Sequence, residues 1–247
     1  MSLKTTLIYS PNFNTKKRNK KQIKFLIFHY TGMKKEKDAI KKLTNIQSQV
    51  STHYLIKKNG EILKMVPDLY VAWHAGISQW GLNKLLNKDS IGIEIANPGH
   101  KFKYSNFPNK QIKSLIKLSK YLVKKYKIKR EFLLGHSDIA PDRKLDPGEK
   151  FPWEILSKKK IGIWHNLNKL TLSLLRKKMV TVKNNNLFMK KLRKLGYPDK
   201  SCIVKNSLIF KKLLINAFQR RYRPELIDGK IDQECLQIIN KLANFKY

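Results

Sequence analysis

"STHYLIKKNGEILKMV", residues 51–66, sets two apolar-alternating runs on either side of Asn59-Gly60. Asn-Gly between such runs is the strongest short-range signal for a β-hairpin. A hairpin alone fits any antiparallel sheet, so its neighbours choose the fold class. Upstream, "IKFLIFHYT", residues 23–31, is a β-branched and aromatic run bounded by a lysine cluster and Gly32, which reads as a buried strand. Downstream, after the loop "AWHAGISQWGLNKLLNKD", comes "SIGIEIAN", residues 90–97, with Ile91, Ile93 and Ile95 on one face and Glu94 on the other. From Asn109 to Lys127 the residues Ile112, Leu115, Ile116, Leu118, Leu122 and Val123 recur at helical spacing with lysines between them, giving an amphipathic helix. "REFLLGHSD" then reads as another short strand. A hairpin and a helical crossover in one run predict an α/β domain whose central sheet is mixed and flanked by helices.

Past about residue 180 the pattern is helical, broken by Gly-Tyr-Pro and by Asp228-Gly229. The expected division is a basic N-terminal segment 1–22, an α/β domain 23–165, a connector 166–180 and a small all-helical C-terminal domain 181–247. Lys+Arg number 53 against 17 Asp+Glu, a net charge of +36. Such a surface attracts polyanions: nucleic acid, anionic lipid or an anionic wall polymer. No apolar run approaches the roughly 20 residues of a membrane span, and the first residues show no signal-peptide pattern. Cys202 and Cys235 match no zinc-ligand spacing; two buried free thiols are expected ahead of a disulfide.

The chemistry-bearing residues sit at strand ends. His29 closes the first predicted strand and His136 the last, so in a sheet whose strands lie side by side they can be neighbours. Two histidines and a carboxylate are the minimal set for an open catalytic zinc site, with three protein ligands and a fourth position left for water. Asp146, beside Pro147-Gly148, is a candidate third ligand, although Asp before Pro-Gly also suits turn initiation. Glu94 either caps the sheet rim or points into a cleft, where it could act as general base. Asp138 and Asp142 are read as loop fasteners.

"FHYTG", the "STHYLIKKNGEI" hairpin, "AWHAG", "SIGIEIAN" and "GHSDIAPDRKLDPGEKFPW", in that order, resemble the zinc-dependent N-acetylmuramoyl-L-alanine amidases of type 2, the AmpD/AmiD branch related to peptidoglycan-recognition proteins. The resemblance spans roughly residues 20–165. It implies one Zn2+ per chain held by His29, His136 and Asp146, with Glu94 as catalytic acid/base and Lys144 stabilising the oxyanion. It further implies a hydrolase cleaving the amide between N-acetylmuramic acid and L-alanine in peptidoglycan or anhydro-muropeptides. His74 in "AWHAG" is expected at the substrate cleft, with a structural role equally open; Asn97 would face the same cleft and Arg143 pair with a peptide carboxylate. His53 is expected to be structural, and His100 and His165 carry no motif. "AFQRRYRPELIDGKIDQEC" resembles the peptidoglycan-binding helical module that follows the catalytic domain in AmiD-type members.

Two other readings use the same residues. A non-catalytic peptidoglycan-recognition protein would share the fold but lack a ligand, and here every ligand position is filled. A nucleic-acid binder rests on charge alone, without a recognisable motif. The expected partner is thus peptidoglycan or a muropeptide, with no specific nucleic acid, and the expected state is a monomer. A wall-binding module points to the periplasm or cell envelope, whereas the missing signal points to the cytoplasm.

Overall fold

Six consecutive residues with side chains that suit a pleated surface, Phe25–Tyr30, form the strand on which the sheet is organised. The computed structural model describes residues 3–201 and 203–244, so Cys202 lies outside the described residues. The strands run β1 (Thr6–Leu7), β2 (Phe13–Asn14), β3 (Phe25–Tyr30), β4 (Tyr54–Ile56), β5 (Ile62–Lys64), β6 (Val71–Ala72), β7 (Gln79–Trp80), β8 (Asn83–Lys84), β9 (Ser90–Ile95) and β10 (Leu133–Gly135). Six of them make one sheet in the order β1-β5-β4-β9-β3-β10. β4, β9, β3 and β10 are mutually parallel, while β5 runs antiparallel to β4. This is the mixed sheet expected from the hairpin and the crossover.

The hairpin closes through a Lys57 amide bond to Glu61 O and a Gly60 amide bond to Lys57 O, both 2.9 Å. Gly60 takes φ 90°, a region costly for any residue with a Cβ, and this places the turn here. Residues of the basic segment before Ile23 belong to the sheet's surroundings. β1 adds to the outer edge beside β5, β2 pairs with β6, and the buried Arg18 guanidinium donates to Asp68 O.

Helices cover both faces. α1 (Glu36–Thr44) turns Ala39 and Leu43 onto Leu55, Leu63 and Met65. α2 (Asn109–Tyr126), the predicted crossover, turns Leu115, Leu118 and Leu122 onto the opposite face with Ile91, Ile93 and Ile95. Each of these isoleucines is fully buried, worth roughly 1.5–3 kcal/mol of transfer free energy. α3 (His136–Ile139) and α4 (Trp153–Lys158) follow β10.

The C-terminal part is helical, as expected: α5 (Lys169–Leu175), α6 (Val182–Leu195), α7 (Ser207–Tyr222) and α8 (Gln233–Ala243). One buried apolar cluster runs from Ile23 to Leu242, so these helices share a core with the sheet. Trp80 packs on Tyr197 at 4.9 Å, the Gly81 amide donates to Gly196 O, and Tyr197 Oη donates to Asp138 Oδ1 at 2.7 Å. The arginines of "AFQRRYRP" face inward. Arg223 bonds Asp232 and Asp228, and Arg221 crosses to Asp138. Cys235 is buried in this part.

Candidate metal centre and cleft

Strand register gathers the site. β3 and β9 pair His29 with Glu94, and β9 and β4 pair Glu94 with Leu55, so these side chains share one face of the sheet. β10 pairs Gly135 with Phe28, which puts the next residue, His136, beside His29. The chain then coils into α3, whose Asp138 reaches back to the Gly135 amide at 2.7 Å. Lys144 N bonds Ala140 O and Ser137 N bonds Asp146 O, folding the loop back until Asp146 meets both histidines.

His29 Nδ1, His136 Nδ1 and Asp146 Oδ2 form a triangle with edges of 2.9, 3.0 and 3.0 Å. All three residues are buried, and among the described residues they form the metal-capable group whose donor atoms lie within 4.8 Å of one another. A tetrahedral shell with zinc bonds of about 2.0–2.1 Å has donor–donor edges of about 3.3 Å, so the set fits one zinc ion. His136 Nε2 lies 3.1 Å from Ala75 O. The Arg143 guanidinium, which can only donate, also faces Nε2 but at 3.5 Å; the carbonyl is the nearer partner and can only accept, which favours the proton on Nε2 and the lone pair on Nδ1.

Electrostatics follow from burial. Burial, then the neighbouring His136, pushes His29 down to about 4. Burial works against the Asp146 charge, but when His136 and His29 carry a second proton, on Nδ1, their charge and hydrogen bonds outweigh it and hold the carboxyl well below the usual range. Glu94 is pushed up to about 8, by burial first and by Asp146 second, with Lys144 opposing. Its Oε2 is buried and has no hydrogen-bond partner among the described residues.

The open side is a cleft of about 440 Å3 lined by His29, Glu94, His136, Lys144 and Asp146, with Lys42, Lys101 and Trp73 on its walls. Lys144 is half-buried, and its ammonium makes no ion pair among the described residues. The remaining sequence candidates lie elsewhere or are otherwise engaged. Arg143 lines the cleft, but its guanidinium is bound to the carbonyls of Ala75 and Ile77. Asn97, expected to face the cleft, is instead buried and fastens its own loop, through Ser105 O at 2.8 Å and the Gly99 amide at 3.0 Å. His74 lines the cleft beside His29, as expected, but both its nitrogens are bonded inside the protein. His53 is buried and accepts from the Gly92 amide.

Two features escaped the sequence. Tyr30, His100 and Glu149 form a hydrogen-bonded chain on the cleft rim, with both links 2.9 Å. Asp138 and Asp142, read as local fasteners, also bind the C-terminal part through Arg221, Tyr197 and Ser201. A periodicity signal could not reveal pairs 59 to 83 positions apart.

The family model described as N-acetylmuramoyl-L-alanine amidase matches residues 19–149. N-acetylmuramoyl-L-alanine amidase AmiD of Escherichia coli K12 is 36% identical over 233 residues, covering 90% of this chain and 82% of the relative. The 1,6-anhydro-N-acetylmuramyl-L-alanine amidase AmpD of Haemophilus influenzae is 33% identical over 165 residues, covering 60% of this chain and 87% of the relative. The solved E. coli AmiD, in complex with anhydro-N-acetylmuramic acid-L-Ala-D-gamma-Glu-L-Lys, superposes with a TM-score of 0.77 at 35% identity, covering 90% of this chain and 88% of the other.

Proposed function

The chain belongs to the N-acetylmuramoyl-L-alanine amidase family, and from that premise we propose how its own residues divide the hydrolysis of the muramyl–L-alanine amide. His29, His136 and Asp146 would hold one zinc ion. Bound there, zinc supplies Lewis acidity that polarises an amide carbonyl and acidifies water. Glu94 takes a proton from the attacking water and returns it to the L-alanine nitrogen as the amide breaks. Lys144 places an ammonium beside the oxygen that gains negative charge in the tetrahedral transition state. The observation that carries this reading is the buried Glu94 Oε2, one strand over from His29 and without a hydrogen-bond partner among the described residues. A buried carboxyl group without a partner is costly unless a reacting group uses it.

The walls suit a stem peptide. Lys42 and Lys101 face its carboxylates, while Met33, Leu43, Val50 and Trp73 offer apolar contact to the lactyl and alanine methyls. A filled ligand set beside Glu94 and Lys144 favours catalysis over recognition alone. In the C-terminal part, a groove of about 610 Å3 carries Lys200, Lys205 and Lys211, beside an Arg193–Asp199 ion pair, around Met189, Leu208 and Phe210. Its charge and shape support a role in holding the anionic polymer, which raises local substrate concentration. Among the described residues no helix is long and apolar enough to cross a membrane, and polymer holding favours action in the cell envelope.

Zinc-loaded protein incubated with anhydro-muramyl tripeptide and with intact sacculi tests the reading by mass spectrometry. The expected products are a free lactyl carboxylate and a peptide with a free L-alanine amine. Cleavage at another bond, or none, overturns it.

A further inference from the structure

We infer that His74 and Ser90 are positioning residues that fix which ring nitrogen His29 offers to the metal, through a hydrogen-bond chain anchored on a backbone carbonyl. The inference rests on reading His29, His136 and Asp146 as zinc ligands. The chain has four members. His29 Nε2 faces His74 Nδ1 at 3.0 Å, His74 Nε2 faces Ser90 Oγ at 3.2 Å, and Ser90 Oγ lies 2.5 Å from Leu86 O.

The direction of every proton follows from the last link. Leu86 O can only accept, so Ser90 Oγ donates to it. Ser90 Oγ therefore accepts from His74, which must carry its proton on Nε2. His74 Nδ1 is then bare and accepts from His29 Nε2. His29 Nδ1 is left with a free lone pair, aimed at the point where His136 Nδ1 and Asp146 Oδ2 converge. Reversing the chain would leave two oxygens 2.5 Å apart with no proton between them, at a serine that is fully buried and out of reach of water.

Local packing is shaped to hold this arrangement. Gly92 lies on the same face as Glu94, and a Cβ there would come within 2.4 Å of His74 Cγ, so the ring occupies the space a side chain would take. The amides of His74 and Ala75 both donate to Asn87 Oδ1, at 3.1 and 2.7 Å, which pins the backbone. The neighbouring Ala75 O sets the proton on His136 Nε2. Two consecutive residues of one loop thus orient both histidine ligands, His136 directly and His29 through an imidazole. Ligand orientation of this kind commonly changes metal affinity by about 10–100-fold.

Zinc affinity, measured by competition of zinc chloride with a chelating dye, tests the inference on the full chain. His74→Leu is expected to weaken binding by about 10–100-fold. His74→Asn, whose amide oxygen can take the place of Nδ1, should restore most of the loss, and Ser90→Ala should fall between them. A His74→Leu chain that folds and binds zinc as tightly as the parent overturns the relay. Should that variant fail to fold, imidazole 15N spectra of the zinc-loaded parent decide. A proton on His29 Nε2 is expected, and a proton on Nδ1 refutes the chain. A parent protein that takes up no zinc instead overturns the ligand reading on which the relay stands.

Discussion

Arg221→Met should destabilise the protein and loosen His136, a proposed metal ligand, from the far side of the sheet. Arg221 sits on α7, but its guanidinium lies inside the β10–α3 joint. It donates to Asp138 Oδ2 and to Leu133 O at 3.1 Å, with its Cζ 4.0 Å over the Trp153 ring. Both side chains of the ion pair are nearly inaccessible, at 2% and 1% exposure. Removing one partner of a buried pair costs about 3–5 kcal/mol, because the other charge stays buried. Asp138 keeps the Gly135 amide and the Tyr197 hydroxyl, each at 2.7 Å, which places the loss near the lower end, at about 3 kcal/mol. Urea unfolding followed by tryptophan fluorescence measures it, with Trp153 reporting from directly beneath the lost cation. Combining the change with Asp138→Asn should cost less than the sum of the single changes, by about 0.5–3 kcal/mol. A single-variant loss below about 0.5 kcal/mol, the ordinary range for a surface change, or strict additivity would refute the pairing. Because Asp138 caps the helix that begins with His136, Arg221→Met should also weaken zinc binding.

Glu94→Gln should lower turnover by about 100- to 10,000-fold while zinc content stays at one per chain, as read by elemental analysis beside steady-state kinetics. Lys144→Met should cost about 100- to 1,000-fold in kcat, again with zinc retained; metal loss would mean the ammonium acts on the ligands instead. Acid stability should depend on Asp68. Burial pushes this carboxyl up, but hydrogen bonds from Lys125, Tyr126 and Tyr54 outweigh it and bring it down to about 2 from a usual 3.8. A depressed carboxylate stabilises the fold above its unfolded value and loses that contribution as pH falls from about 4 to about 2, here about 2 kcal/mol. Asp68→Asn should therefore be less stable at neutral pH and show a flatter stability curve through that window.

The sheet was legible because its strands carry their signal locally. Phe25–Tyr30 and Ser90–Ile95 are β-branched or aromatic runs, and Asn59-Gly60 names its own turn. His29, His136 and Asp146 could be proposed together because strand ends and a loop that folds back are sequence-local facts. The triangle they form needs the parallel register of β10 on β3. What stayed hidden depends on distant partners. β1 is only two residues long and exposed, too short for any alternation to show. In a chain with 53 Lys+Arg, nothing marks Arg221 as the partner of Asp138 or Arg143 as bound to carbonyls. Ser90, which links His74 to Leu86 O, looks in sequence like any strand-opening serine.

Amidase activity of metal-free protein, titrated with zinc, is the most direct test of the proposed chemistry. Activity should be absent at the start, rise linearly and reach its plateau at one zinc per chain, with His29→Ala giving no plateau. Full activity before any zinc is added, or a His29→Ala chain that follows the parent curve, would contradict it.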